Sequence, residues 1–303
     1  MVRKSEACER SEAEVRLMKR VKSMKGVKPM KFTKMQGAGN DFIIVDDREG
    51  NLSEEAMEKL AAALCQRRMA VGADGMMFVG RPQAGGDFRM EFFNGDGSRG
   101  EMCGNGARCI AKYGFEKGLA GEEMVIETTA GPVTAWRLSE DQYKIRLNDV
   151  TKMELSRELA ACGQVWDCAY VELGEPGLPH LAVEYPGLRS ADEEELRRLG
   201  AALRRHPSLP KGANVNFYDM TGPDALWERT FERGVEDFTY ACGTGTGSVA
   251  AVLTEKGLVS GEHTAVSMTG GTLYVDVVRK DGSIRDLYLS GPAVIVYEGE
   301  CKI

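Results

Sequence analysis

Residues 91–109 read EFFNGDGSRGEMCGNGARC, and residues 229–245 read RTFERGVEDFTYACGTG. Each stretch runs from an alternating, strand-like segment through a polar turn into Cys-Gly-x-Gly. Each is followed by a helical pattern, and those helices close on KYGFEKGL (112–119) and VLTEKGL (252–258). An echo of that length, down to the shared EKGL, is the mark of an internal repeat. It predicts two related lobes, each presenting one cysteine, Cys103 or Cys242, where a glycine-rich turn enters a helix.

Working outward, KFTKMQGAGNDFIIVDD (31–47) reads as a strand, a glycine-rich turn and an apolar strand over Phe42–Val45. From Ser53, SEEAMEKLAAALCQRR opens on a candidate N-cap serine with Glu54 and Glu55 in the first turn, and has helical spacing. Further helices are expected over Ala107–Lys117, Ala191–Arg205 and Thr246–Lys256. Short strand-like runs fill the rest, among them GMMFVG, VIETTAG, YKIRL, HLAVEY, NVNFYDM and TLYVDVVR. Many strands with a few scattered helices imply an α+β fold with mixed sheets, not a doubly wound parallel one. The expected division is a charged extension over residues 1–29 and a first lobe over 30–148, completed by about 290–303. The second lobe spans 149–289.

The chain has 303 residues, 43% hydrophobic and 28% charged, which suits a globular protein with proper cores. A net charge of −7 argues against a general nucleic-acid binder, and no apolar run is long enough for a membrane helix. Eight cysteines are dispersed over a long chain, unlike a small disulfide scaffold, and the charged N-terminus lacks the apolar core of a secretory signal. A cytoplasmic location with free thiols is expected. Cys65 and Cys109 read as core residues. The spacings Cys103-x5-Cys109 and Cys162-x5-Cys168 do not suit zinc, so no metal is expected.

A cysteine at a helix start lies beside unsatisfied N–H groups and the positive end of the helix dipole. Both favour thiolate, and the flanking glycines let a small anion approach the backbone. One such cysteine could be a nucleophile, a redox thiol or part of an anion pocket. Two facing each other across a cleft can take a proton from one face of a carbon and return one to the other, inverting it. Backbone N–H groups of Gly104, Asn105, Gly243 and Thr244 are placed to stabilise the charge that develops on an α-carboxylate.

With these residues in view, the sequence resembles the diaminopimelate epimerase family of cofactor-independent epimerases, which serve bacterial lysine and cell-wall synthesis. The matching stretches are KMQGAGNDF, FFNGDGSRGEMCGNGARC, GANVNF and WERTFERGVEDFTYACGTG, and the likeness runs from about Met30 to the C-terminus. The resemblance implies two lobes related by a pseudo-twofold, each a mixed sheet wrapped round a central helix. It implies a small amino-acid substrate in the cleft, a homodimer, and no pyridoxal phosphate or metal. It makes Cys103 and Cys242 the acid/base pair. Asn40, Asn94, Asn214, Glu232 and Arg233 become substrate-binding, Glu232 suiting an ammonium and Arg233 a distal carboxylate. His180 joins them as an active-site candidate.

Three departures touch the far end of the substrate. GEPGLPH (174–180) keeps His180 but has Leu178 at a substrate-facing Asn position. Gly75 stands where many members carry Gln. VEDFTY, between Glu-Arg-Gly and Ala-Cys-Gly, is one residue longer than the commonest form. One missing polar partner shifts specificity by about 1–3 kcal/mol. Conversion of LL- to meso-diaminopimelate is the leading expectation, a racemase or epimerase of histidine or a proline derivative the alternative. A thiol redox or anion-binding protein would use the two cysteines but leave Glu232, Arg233 and the asparagines without a role.

Overall fold

The computed structural model describes residues 29–100 and 103–302. The expected extension over residues 1–29 lies outside the described residues up to residue 28. The first lobe contains β1 (Met30–Gly37), β2 (Asn40–Asp46), α1 (Glu54–Leu64), β3 (Gly75–Gly80), β4 (Phe88–Asn94) and β5 (Arg99–Gly100). It continues with α2 (Gly104–Glu116), β6 (Glu123–Thr128), β7 (Gly131–Arg137) and β8 (Gln142–Arg146). The second lobe contains β9 (Val150–Ala161), β10 (Gln164–Leu173), β11 (Leu178–Glu184), α3 (Glu193–Arg204), β12 (Asn214–Gly222), β13 (Ala225–Glu232) and β14 (Asp237–Thr239). After these come α4 (Gly243–Glu255), β15 (Thr264–Met268), β16 (Gly271–Lys280) and β17 (Ser283–Pro292), before β18 (Val294–Cys301) returns to pair antiparallel with β1.

The two lobes share one pairing scheme. β1–β2 is antiparallel, β2–β3 parallel and β3–β4 antiparallel, while β10–β11, β11–β12 and β12–β13 follow the same sequence. β4 pairs parallel with β6 as β13 pairs with β15, and antiparallel β8–β17 pairing joins the lobes. The fold is α+β, two pseudo-symmetric lobes with mixed sheets around central helices α2 and α4.

The registers give residue-level equivalences. Gly37 opposes Asn40 as Leu173 opposes Leu178, so Asn40 and Leu178 are twofold mates. Phe42 pairs with Gly75 as His180 pairs with Asn214, and Gly75 opposes Asn94 as Asn214 stands one residue before the Val215–Phe231 pair, facing Glu232. Asn94 therefore matches Glu232, and the departing positions Gly75 and Leu178 match Asn214 and Asn40.

Alternation sorts the side chains into three cores. Inward faces of both sheets close on α2 and α4, while outward faces pack on α1 and α3. Each fully buried Leu, Ile or Phe there contributes about 1.5–3 kcal/mol. Ser53 caps α1, its Oγ accepting from the Ala56 N–H at 3.3 Å. The central helices begin three residues earlier than predicted, at Gly104 and Gly243. Their opening turns are made of glycine, asparagine and threonine, which carry no apolar periodicity for the pattern to register.

Candidate active site

Cys103 and Cys242 are the N-cap residues of α2 and α4, both with extended backbone. The helix starts meet: a Cβ on Gly104 would lie 3.4 Å from Gly243 Cα, and one on Gly243 only 3.2 Å from Gly104 Cα. Side chains on those glycines would push the two cysteines apart. Cys103 is partly exposed and Cys242 is 8% exposed. Cys65 and Cys109 are buried, as their reading as core residues requires.

The helix starts do not by themselves yield thiolates. Burial pushes the Cys103 thiol up, although the Gly106 and Asn105 N–H groups and the Arg108 guanidinium work the other way. Burial pushes Cys242 well up, with the nearby Glu232 carboxylate adding to it and the Gly245 N–H and the Thr244 hydroxyl opposing it. A helix terminus is worth about 0.3–1 kcal/mol, whereas taking a charge out of water costs several. Desolvation thus outweighs the helix starts, and the thiolate that they were expected to favour is disfavoured at both sulfurs.

Asn40 donates to Asp74 Oδ2 at 3.1 Å and accepts from Asn105 Nδ2, which also reaches the Ala241 carbonyl at 3.3 Å. Asn105 Oδ1 accepts from Arg108 at 2.7 Å. The side chain of Asn105 is fully committed to the protein, so its backbone N–H is what it can offer a ligand. Thr244 Oγ1 lies 3.6 Å from the Cys242 sulfur. Asn94 is exposed and donates to Ser98 Oγ within its own turn at 3.0 Å. Asn214 Oδ1 accepts from the Arg233 N–H at 2.8 Å, and the Arg233 guanidinium donates to the Lys211 carbonyl at 3.1 Å. Glu232 perturbs both thiols, and burial raises its own pKa, helped by the charge of Asp74. His180 is fully buried behind this rim, with Nδ1 3.3 Å from Asn216 Nδ2. Burial holds it neutral, its pKa pushed down to about 3.

Sequence reasoning missed Asp74, Arg108, Asn216 and Glu228. Arg108 is a 0% exposed guanidinium that also donates to the Gly104 carbonyl at 3.2 Å. Its signal was a cation on a helix expected to be central. Glu228 stands at an inward position of the alternating run LWERTFE, where an acid breaks the pattern.

The family model described as diaminopimelate epimerase matches residues 32–152 and 175–296. The chain belongs to the diaminopimelate epimerase family. It is 36% identical over 282 residues to the diaminopimelate epimerase of Archaeoglobus fulgidus, covering 90% of this chain and 96% of that one. It is 35% identical over 277 residues to that of Aquifex aeolicus, covering 88% and 96%. Among solved structures, a PhzF-family phenazine biosynthesis protein from Bacillus anthracis matches with a TM-score of 0.67 at 19% identity, covering 91% of this chain and all of that one. A probable proline racemase from Agrobacterium radiobacter matches at 0.64 and 16%, covering 90% and 93%. These two show the shared fold. As a diaminopimelate epimerase family member the chain is an isomerase. Among the described residues, no helix is long and apolar enough to cross a membrane.

The turn between β1 and β2, Ala38–Gly39, leads into Asn40 and is held by the other lobe. Gly270 donates its N–H to the Tyr240 carbonyl at 3.0 Å, and a Cβ on Gly270 would collide with the Ala38 backbone carbonyl. Gly270→Ala is therefore expected to displace this turn and with it Asn40. A shift near 1 Å lowers kcat/KM on the order of 10²-fold. Steady-state kinetics check this, and an unchanged kcat/KM contradicts it.

Proposed function

We propose that the protein epimerises LL-2,6-diaminopimelate to the meso form, without an organic cofactor, through Cys103 and Cys242. The observation that carries this reading is the meeting of the two helix starts at Gly104 and Gly243, each with a cysteine at its N-cap, which supports one thiol acting on each face of a single carbon. Backbone N–H groups at both starts receive the α-carboxylate, and the substrate ammonium lies toward Glu232. The pair works with one sulfur as thiolate. That thiolate takes the α-proton, and the C–H electron pair moves into the carboxylate as an enediolate held by the N–H groups. The opposite thiol then gives its proton to the other face, the carboxylate reforms, and the thiol and thiolate have exchanged places. Arg233, at the edge of the site, suits the second carboxylate. Free thiols and this activity fit a cytoplasmic enzyme.

A second reading, another amino-acid substrate, is favoured by one feature. Leu178 occupies the position whose twofold mate is Asn40, so the far end of the cleft has one polar side chain fewer.

The test is incubation of the reduced protein with LL-diaminopimelate in D2O. Deuterium should appear at the inverted carbon as the meso isomer accumulates. If LL-diaminopimelate does not exchange while histidine or a proline derivative does, the substrate assignment falls and the proton-transfer mechanism stands.

A further inference from the structure

The shared topology does not require the two cysteines to have the same backing, and they do not. Under the first turns of α2 the inward residues are Phe42, Met77, Met90, Phe92 and Ala107, all buried and apolar. Their register mates under α4 are His180, Asn216, Glu228, Thr230 and Thr246, none more than 3% exposed. The close approach at each helix start repeats with the chemistry exchanged: Gly106 packs on the Met77 side chain and Gly245 on that of Asn216. In the second lobe Thr230 donates to Asn216 Oδ1 at 3.0 Å, and Asn216 Nδ2 donates to the Leu181 carbonyl at 2.8 Å. Thr246 Oγ1 donates to Glu228 Oε2 at 2.6 Å, while Glu228 Oε1 is buried without a partner among the described residues. The Thr246 N–H in turn closes on the Cys242 carbonyl at 2.9 Å. A short relay therefore runs from a buried acid to the residue that caps α4.

We propose that Glu228 is a positioning residue for Cys242: its carboxyl holds Thr246 and the first turn of α4 in place, and its charge, once formed, keeps the proton on the Cys242 sulfur. Burial pushes the Glu228 carboxyl up to about 8, so it is an uncharged acid at neutral pH and ionises in the range where a thiol begins to. The groups around it do not replace that effect. Tyr218, opposite on β12, is held neutral with its pKa up at about 12, and His180 on β11 is neutral. β15 and β16 present Val266, Met268, Leu273 and Val275, which carry no charge. Glu232, on the same strand, raises both thiols, whereas Glu228 acts on Cys242. Behind Cys103 the position of Glu228 is Met90, and the buried cation Arg108 favours its thiolate. The two sulfurs are thus unequal, and Cys103 ionises first. This rests on the two-cysteine reading above.

The experiment is alkylation of the full chain by iodoacetamide across pH 7–9.5, with the Cys103 and Cys242 peptides quantified separately by mass spectrometry. In the wild type Cys103 should react faster than Cys242. Glu228→Gln keeps an acceptor for Thr246 but cannot ionise, so at pH 9 its Cys242 should react about threefold faster or more, the effect of a half-unit fall in a thiol pKa. Cys103 should be unaffected. The double variant Glu228→Met with Thr246→Ala copies Met90 and Ala107, and should show the same selective gain if the single variant folds poorly. A Cys242 profile superimposable on the wild type in a folded variant overturns the proposal. Alkylation reads ionisation without turnover, so this outcome is separate from failure of the two-cysteine reading, which would show as inversion persisting in Cys242→Ala.

Discussion

Alanine at either Cys103 or Cys242 should lower the rate of inversion on the order of 10³-fold while leaving the protein folded. The size follows from losing an acid or a base that acts directly on the reacting carbon, an effect of about 10²–10⁴-fold. The folding cost should be small. Neither sulfur makes a side-chain capping hydrogen bond, so alanine removes no helix cap. The two losses should be complementary, each variant exchanging only the isomer whose α-hydrogen faces the remaining cysteine. With Cys242→Ala, the Cys103 face can still remove an α-proton and return it to the same side, so exchange with D2O continues with retention of configuration. With Cys103→Ala, exchange is confined to the isomer whose α-hydrogen faces Cys242. Polarimetry beside deuterium incorporation separates the two, and wild-type inversion in both variants would sink the mechanism.

Much of this arrangement is present in the one-dimensional pattern, and the parts that are not have a common cause. The Cys-Gly-x-Gly repeat with its shared helix endings implies two lobes and a cysteine at each helix start, and the structure has both. The return of β18 to β1 and the joining of the lobes through β8 and β17 are long-range pairings that alternation alone does not specify. Register matters more still. Only with strand partners known does Leu178 become the mate of Asn40, or Glu228 that of Met90. At the two thiols the helix dipole that favours ionisation is visible in sequence, whereas the desolvation that opposes it is not. Arg108 shows the same blindness in another form. GNGAR reads as an ordinary helix opening, yet the Arg108 guanidinium is fully buried and bonded to Asn105 and Gly104.

The buried polar cluster behind Cys242 should also dictate how stability depends on pH. Glu228 is raised from 4.5 to about 8 in the folded protein. Between those values the native state keeps a proton that the unfolded chain releases, so stability falls as pH rises through that window. His180 is lowered from 6.5 to about 3. Between those values the unfolded chain takes up a proton that the native state refuses, so stability is lost as pH falls from 6.5 toward 3. From pH 4.5 to 6.5 the two slopes oppose each other, and these residues leave a plateau with a limb on each side. At about 1.4 kcal/mol per pH unit, the alkaline limb amounts to roughly 2 kcal/mol between pH 6.5 and 8. Glu228→Gln should remove the alkaline limb and His180→Phe, which copies Phe42, the acid limb. Taking the difference between each variant and the wild type in urea unfolding cancels every titration they share. A Glu228→Gln difference that stays constant from pH 5 to 8.5 would mean that Glu228 is already charged at neutral pH. The unpartnered Oε1 would then be a buried anionic oxygen, and the relay to Cys242 would run with the opposite resting charge.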